Sequence, residues 1–256
     1  MLDAMGITVW TPETPPQAHH ADQAVRPAAA VAAEAPKLAP LADAETARSL
    51  PDAAITTDAR AAREAEIAAL DWPRLRDSVA ACRACRLCEG RRQTVFGVGH
   101  EQAHCMIVGE APGENEDLQG EPFVGAAGQL LDRMLQAIGL TRGSADPARQ
   151  VFICNTLKCR PPRNRNPEPD ELALCSAYLR RQIELVQPRL LLAMGRFAVQ
   201  ALLDSSEPIG RLRGRVHRFG ERPLVVTYHP AYLLRNPADK ARAWADLCLA
   251  AQQLGR

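Results

Sequence analysis

The segment 109–117 concentrates acidic side chains in a short, turn-forming stretch of the sequence. It contains Glu110, Glu114 and Glu116 together with two glycines and a proline, and it directly follows the apolar run 105–108. Glycine and proline let the backbone turn sharply and approach a ligand closely. At the end of a buried strand of an α/β sheet, such a loop lies where ligands bind. A solvated acidic turn is the alternative, and this segment alone does not exclude it.

Two further polar side chains follow apolar runs and have suitable chemistry for a binding site. Asn155 follows the run 151–153, and His229 follows the run 224–227. An asparagine amide offers both donors and an acceptor, and an imidazole N–H can stabilise negative charge that develops during a reaction. An asparagine at the end of a strand is also a common turn residue, and a histidine there can simply cap the junction.

The eight cysteines indicate metal ligands rather than disulfides, because the N-terminus shows no secretion signal and thiols stay reduced in the cytoplasm. Cys82 and Cys85 form a C-x-x-C pair, and Cys159 and Cys175 follow later. Four thiolates suit zinc or an iron–sulfur cluster, and spacing alone favours zinc. Cys88 extends the pair by another C-x-x-C step and could exchange with a ligand. The remaining cysteines fall in apolar patterns and are expected in the core: Cys105, Cys154 and Cys248.

Apolar runs alternate with amphipathic stretches after residue 70, which predicts strands alternating with helices. The fold class is therefore α/β, a three-layer α/β/α arrangement around a central, mainly parallel four-stranded sheet. The loops that follow the strands then meet at one edge of this sheet. The predicted strands are 105–108, 151–153, 190–194 and 224–227, and the main predicted helices are 71–82, 125–138, 168–186, 197–203 and 238–252.

The beginning of the chain differs in composition from the rest. It is rich in alanine and proline without a sustained apolar period, so we expect a disordered tail over 1–66 and a folded domain over 67–256. Residues 1–10 are an apolar exception, which predicts a docking motif for a replication or repair protein; an unstructured apolar end is the alternative. The domain carries 26 Lys+Arg against 20 Asp+Glu, which suits a polyanionic partner. No apolar run is long enough to predict a membrane span.

Four segments together resemble one enzyme family. They are GEAPGENED at 109–117, PFVG at 122–125, NTLKCRPP at 155–162 and HPAYLLRNP at 229–237. With the upstream C-x-x-C pair, they are similar in kind and order to the motifs of the family 4 (iron–sulfur) uracil-DNA glycosylases. The resemblance implies a monomeric cytoplasmic hydrolase that binds uracil-containing DNA and flips the deoxyuridine out. It would cleave the N-glycosidic bond, release uracil and leave an abasic site, which initiates base-excision repair.

The resemblance assigns roles to three residues of the expected pocket. Phe123 would stack on the flipped base. Asn155 would donate a hydrogen bond to uracil O4 and accept one from N3–H. His229 would stabilise the negative charge on the departing uracil, as a neutral imidazole or as an imidazolium.

The residue that activates water is the least defined part of the expected site. In the best-known uracil glycosylase family an aspartate orients the water, and Ala111 occupies its place here. Glu110 or Glu116 would supply the missing acid, unless the reaction is dissociative enough to need little activation. Glu110, Ala111 and Pro112 are expected to line the uracil pocket. A thymine-excluding tyrosine of that family corresponds to Gly113, and Glu116 would crowd the C5 methyl group instead.

The resemblance also implies that Cys82, Cys85, Cys159 and Cys175 ligate a [4Fe–4S] cluster, which replaces zinc as our expectation. The cluster would staple a peripheral region of the fold. Lys158 is expected to contact phosphate or solvent and is not placed as an imine-forming nucleophile, so the enzyme would be monofunctional.

DNA contacts are expected beside the pocket from Leu233, Leu234, Arg235, Arg160 and Arg163. The leucines would fill the space left by the flipped base, and the arginines would hold phosphates. Core packing for the leucines and solvation for the arginines are the alternatives.

Two other functions are compatible with these motifs. One is a non-turnover uracil-DNA binding or trapping protein of the same superfamily; the other is a replication-associated scaffold protein that only binds DNA. Trapping relatives carry a histidine in a basic insert, and the segment 158–169 contains none. The presence of Asn155 and His229 favours catalysis.

Overall fold

All four predicted strands form in the computed structural model, which describes residues 57–256. They pair in parallel at the centre of the sheet, which confirms the α/β class and the mainly parallel pairing. Two antiparallel strands extend the sheet at its edges, so among these residues the sheet has six strands rather than four. In chain order the strands are β1 (Val98–Gly99), β2 (Cys105–Gly109), β3 (Phe152–Asn155), β4 (Leu190–Met194), β5 (Val216–Phe219) and β6 (Arg222–Thr227).

The order of the strands creates a crevice at one edge of the sheet. The order is β1-β3-β2-β4-β6-β5. After β2 the chain continues to β3 on one side of it, whereas after β4 it continues to β5 and β6 on the opposite side. Such a switch point opens a crevice outside the carboxyl ends of the strands, where ligands bind in open α/β sheets. Gly109, the last residue of β2, and Gly195, directly after β4, lie at this point.

The five predicted helices all form, with ends within two residues of the prediction. Asp71 caps the second helix by accepting a hydrogen bond from the Arg74 N–H at 3.0 Å, and Pro73 lies in its first turn. No helix in the described range 57–256 is long and apolar enough to cross a membrane. In chain order the helices are α1 (Thr57–Ala68), α2 (Trp72–Ala81), α3 (Leu87–Gly90), α4 (Glu114–Gln119), α5 (Ala126–Ala137), α6 (Pro169–Val186), α7 (Arg196–Leu203), α8 (Ile209–Leu212), α9 (Pro230–Arg235) and α10 (Lys240–Gln253).

Helices cover both faces of the sheet, which confirms the three-layer arrangement. Along β2, Met106 and Val108 face a core that includes residues of α2, α6 and α7. Cys105 and Ile107 face the opposite core, which includes residues of α5 and α10. Because the central strands are buried on both faces, their sequences are continuous apolar runs rather than alternating ones.

Helix α1 corrects the predicted boundary of the tail. Residues 57–66 were assigned to the disordered segment 1–66, but they are helical. Ile67 is buried in the core, and Arg63 Nη1 donates to the Leu174 carbonyl at 2.7 Å, so α1 packs on α6. The remainder of the predicted tail, including the docking motif at residues 1–10, lies outside the described residues.

Candidate functional site

The loops that follow β2, β3, β4 and β6 line one cleft of about 750 Å³ at the switch point. This confirms that the segments after the strands gather at one edge of the sheet. Most of the predicted pocket residues share this cleft. Its wall includes Glu110, Ala111, Pro112, Glu116, Phe123, Asn155, His229 and Arg235.

Gly109 allows two predicted uracil-binding side chains to meet above the end of β2. A Cβ atom at Gly109 would lie 2.4 Å from Asn155 Oδ1 and 2.6 Å from Phe123 Cζ. Both distances are far below van der Waals contact, so no larger residue fits at position 109 without displacing these side chains. The glycine that ends the strand is therefore part of the site.

Phe123 is held in an unusual backbone conformation. Its φ is +57°, in the left-handed region that side chains other than glycine rarely adopt. A Cβ at Gly128 would lie 1.6 Å from the Phe123 carbonyl oxygen, so the glycine in α5 makes room for this backbone. The buried ring stacks on the imidazole of His229, with centroids 5.3 Å apart and planes 27° apart. Backbone strain of this kind is typical of functional sites.

Asn155 lines the cleft and has an unused hydrogen-bond acceptor. Its side chain is 2% exposed, and Oδ1 has no hydrogen-bond partner. Buried polar atoms are almost always paired, so an orphaned acceptor in a cleft is suited to a ligand that donates. The backbone around it is fixed, because Thr156 N–H donates to the Gly109 carbonyl at 3.0 Å and Leu157 N–H donates to the Glu110 carbonyl at 3.1 Å.

His229 is arranged as a neutral hydrogen-bond donor. Its Nδ1 accepts from the Ala231 N–H at 3.2 Å, which leaves the proton on Nε2. Burial lowers the pKa of His229 to about 4, with a further lowering from Arg235 and an opposing effect from Glu116. Of the two protonation states left open by the sequence, the structure therefore favours the neutral imidazole.

The two candidate acids differ in how much of their hydrogen-bonding capacity is used. Glu116 accepts from the Gly113 N–H and the Val124 N–H, both at 3.0 Å, so it ties the two ends of the loop together. The Glu110 carboxylate makes no hydrogen bond within the described range 57–256. Burial raises the pKa of Glu110 above its ordinary value, against a lowering effect from Arg196.

Lys158 corrects an expectation from the sequence. It was predicted to contact phosphate or solvent, but it is 2% exposed. Its Nζ donates to the Asn155 carbonyl and to Gln182 Oε1, both at 2.7 Å. The one hint in the sequence is that its neighbours, Leu157 and Cys159, are apolar. Both are buried in the structure.

The four predicted cluster ligands line one cavity beneath α2 and α6. Cys82, Cys85, Cys159 and Cys175 all contribute to its wall, and so does Cys88. Burial raises the pKa of Cys85 to about 11 and that of Cys175 to about 12, so binding must come with loss of these protons. The other cysteines predicted in the core are separate from this cavity.

The cavity offers sulfur ligands to a metal group. Among residues 57–256, no three His, Cys, Asp or Glu side chains converge closely enough to hold one ion. A zinc ion needs all its sulfurs about 2.3 Å from one point, whereas a [4Fe–4S] cluster spreads its four thiolates over four irons. Arg91 Nη1 donates to Cys159 Sγ at 2.9 Å, which favours the thiolate form of a ligand.

The predicted DNA contacts are only partly accessible. Leu233 is 1% exposed and packs in an interior cluster, whereas Leu234 is 44% exposed. Arg235 and Arg163 are exposed at the surface. Arg160 donates through Nε to Asn164 Oδ1 at 2.8 Å and lies partly buried beside the cleft. Only Leu234 of the two leucines is free to insert into DNA.

The sequence did not reveal every residue of the cleft. Tyr228 and Tyr232 stack with centroids 5.0 Å apart and line its far wall, together with Ile209 from α8. Tyr228 precedes α9 and Tyr232 lies within it, four residues further on, a spacing that is also common in cores. No pattern in the sequence therefore distinguishes tyrosines that line the cleft from tyrosines in the core.

Comparisons with known proteins agree with this geometry. The family model described as "Uracil DNA glycosylase superfamily" matches residues 96–248. A "Type-4 uracil-DNA glycosylase" of Archaeoglobus fulgidus is 45% identical over 167 residues, covering 62% of this chain and 81% of the relative. One of Pyrobaculum aerophilum is 39% identical over 188 residues, covering 70% and 93%. A "Type-5 uracil-DNA glycosylase" of the same organism is 32% identical over 149 residues, covering 54% and 66%.

Proposed function

Since this chain belongs to the uracil-DNA glycosylase superfamily, and within it to the type-4 enzymes, we propose that it hydrolyses the N-glycosidic bond of deoxyuridine in DNA. It releases uracil as a monofunctional glycosylase, leaves an abasic site and so initiates base-excision repair. Its substrate is uracil-containing DNA, which it binds as a monomer. The observation that carries this proposal is the orphaned Asn155 acceptor in the same cleft as the Nε2–H of His229.

Asn155 recognises the Watson–Crick edge of uracil. Its free Oδ1 accepts from the N3–H of uracil, and its amide N–H donates to O4. Cytosine has an unprotonated N3 and an amino group at C4, so it would leave both groups of Asn155 mismatched. A buried polar group left unpaired costs about 1–3 kcal/mol, which is enough to discriminate against cytosine.

His229 stabilises the leaving group. As the glycosidic bond breaks, negative charge develops on uracil O2 and N1, and the neutral imidazole donates through Nε2–H to this charge. The Ala231 N–H and the stacked ring of Phe123 hold the imidazole in position before the substrate arrives. Because the donor is already oriented, little reorganisation is needed as the bond breaks.

Glu110 is the group that orients the attacking water. Its carboxylate lines the cleft and has no protein partner in the described range, whereas both oxygens of Glu116 bind backbone N–H groups. Ala111 and Pro112 form the adjoining wall and exclude other water. Glu116 therefore acts on the reaction by holding the loop, which revises the more direct role expected from the sequence.

The cofactor is a [4Fe–4S] cluster held by Cys82, Cys85, Cys159 and Cys175. When bound, it supplies a rigid link between α2, the loop after β3 and α6. Arg91 then donates to a ligand sulfur. The reduced thiols that such a cluster requires fit a location in the cytoplasm.

DNA lies across the mouth of the cleft. Leu234 fills the gap left by the flipped nucleotide, while Leu233 anchors α9 from inside the fold. Arg235, Arg160 and Arg163 contact phosphates on the two sides of the cleft.

Uracil release by the wild type and Asn155→Asp tests the proposal. Under single-turnover conditions with a labelled oligonucleotide, the wild type should convert uracil to an abasic site, and Asn155→Asp should be slower by about 10²-fold because it cannot donate to O4. Asn115→Asp makes the same change at an exposed position and should match the wild type. Binding of uracil-DNA without any release would instead assign the chain to the trapping or scaffold proteins.

A further inference from the structure

Lys158 is a buried cation without a carboxylate partner. Its ammonium is enclosed in the core between β3 and α6, and no Asp or Glu of residues 57–256 lies within ion-pair distance of it. Its two hydrogen-bond acceptors, the Asn155 carbonyl and Gln182 Oε1, are both neutral. A buried charge is costly unless an opposite charge compensates it. The structure therefore needs a negative charge near this side chain.

The composition of the chain makes a lysine at this position unusual. Among 31 Lys+Arg the sequence has only three lysines, Lys37, Lys158 and Lys240, and all other basic residues are arginines. An ammonium group is a compact point charge with three donors, whereas a guanidinium is a planar fork. The enclosed space beside Asn155 suits the smaller group.

The cysteine cavity supplies the missing negative charge. Lys158 lies in the wall of the cavity lined by Cys159 and Cys175. Four thiolates together with a [4Fe–4S] core carry a net negative charge.

We propose that Lys158 is a positioning residue that couples the cluster to uracil recognition. Its ammonium balances the charge of the bound cluster and, through the same group, holds the backbone carbonyl of Asn155. Gln182 fixes the position of the ammonium group, because its Oε1 accepts from Lys158 while its Nε2 donates to the Phe96 carbonyl at 2.9 Å. This inference rests on the proposed function and cofactor, and it predicts that a cluster outside the cleft affects the pocket.

Coupling of this kind must be reciprocal. If the cluster holds Lys158 in the position that orders Asn155, then uracil bound to Asn155 must in turn stabilise the cluster. If iron leaves from the state in which Lys158 has moved away, bound uracil makes that state rarer. Saturating free uracil should then slow the loss of iron from the wild-type protein during exposure to a chelator, by about fivefold, while cytosine has no effect. The loss is followed by visible absorbance and by iron content, which do not depend on activity.

Lys158→Met tests the residue itself, with the exposed Lys240→Met as the matched control. Lys158→Met should lose iron faster than the control, and free uracil should inhibit its remaining activity at least tenfold more weakly. Uracil should no longer slow its loss of iron. If Lys158→Met does not fold, the effect of uracil on iron loss from the wild type still tests the inference.

Two results overturn the inference. One is a rate of iron loss from the wild type that uracil does not change; the other is a Lys158→Met protein that matches Lys240→Met in iron retention and uracil inhibition. Both leave the proposed function intact if the wild type contains iron and releases uracil. A wild-type protein without iron would instead overturn the proposed cofactor, and this inference with it.

Discussion

Gly109→Ala tests the geometry of the pocket with one added methyl group. The new Cβ would lie 2.4 Å from Asn155 Oδ1 and 2.6 Å from Phe123 Cζ, whereas ordinary contact begins at 3.4 Å. Both side chains must therefore move away by about 1 Å, and displacements of this size in a catalytic site can cost about 10²-fold in rate. Overpacking should also destabilise the fold by about 1–3 kcal/mol.

The assay compares single-turnover uracil release, affinity for uracil-free DNA and the melting temperature. We expect a rate about 10²-fold below the wild type, an unchanged affinity for uracil-free DNA, and a melting temperature lower by about 2–10 °C. Gly90→Ala is the matched control, because an added Cβ there meets nothing within 4 Å. A Gly109→Ala enzyme that releases uracil within about threefold of the wild-type rate would refute the close packing above β2.

Three other predictions concern the acids, the histidine and the two leucines. Glu110→Gln should slow uracil release by about 10²-fold without lowering the melting temperature. Glu116→Gln should lower both the rate and the melting temperature, because one of the two carboxylate oxygens that accept from backbone N–H groups is replaced by an amide nitrogen. Equal profiles for the two variants would count against this division of roles. Because the pKa of His229 is lowered in the folded protein, the imidazole stays neutral well below the pKa that it has in the unfolded chain. The contribution of the neutral imidazole to catalysis and to stability is therefore complete above the unfolded pKa and is lost only as the pH falls toward 4. The ratio of wild-type to His229→Gln rates should thus stay constant between about pH 6 and 8, and a slope in that range would argue for an imidazolium. Leu234→Ala should slow excision from duplex DNA more than from single strands, while Leu233→Ala should cost about 2–5 kcal/mol of stability, as measured by denaturant unfolding.

The central strands and the positions of the candidate residues could be predicted because burial on both faces leaves a plain pattern. Runs such as 190–194 contain only apolar residues, and parallel strands place the segments after them at one edge. Edge strands lack this pattern. In β5, exposed and half-buried residues alternate, and β1 is only two residues long, so neither has a recognisable apolar run.

Helix α1 was missed for a similar reason. It is rich in alanine and charged residues, and its composition continues that of the preceding segment. Its place in the fold depends on contacts of Ile67 and Arg63 with distant parts of the chain, which local periodicity does not contain.

Within the site, residue types predicted chemistry but not environment. An asparagine and a histidine after strands offered suitable chemistry, but their predicted roles in base recognition and charge stabilisation came from the resemblance of the surrounding motifs. The burial of Lys158 and Leu233 and the use of both Glu116 oxygens by backbone N–H groups depend on tertiary packing. The sequence therefore predicted contacts with DNA or solvent for Lys158 and Leu233, which burial prevents, and a direct catalytic role for Glu116, whose oxygens already accept hydrogen bonds from the backbone.

The most direct test of the central claim is single-turnover release of uracil by the wild type and by His229→Ala. The wild type should form abasic sites rapidly, and His229→Ala should be slower by at least about 10²-fold, with little change in affinity for uracil-free DNA. A wild-type protein that binds uracil-containing DNA but releases no base would refute the glycosylase activity. A His229→Ala variant that releases uracil at the wild-type rate would refute the role of His229 in stabilising the leaving group.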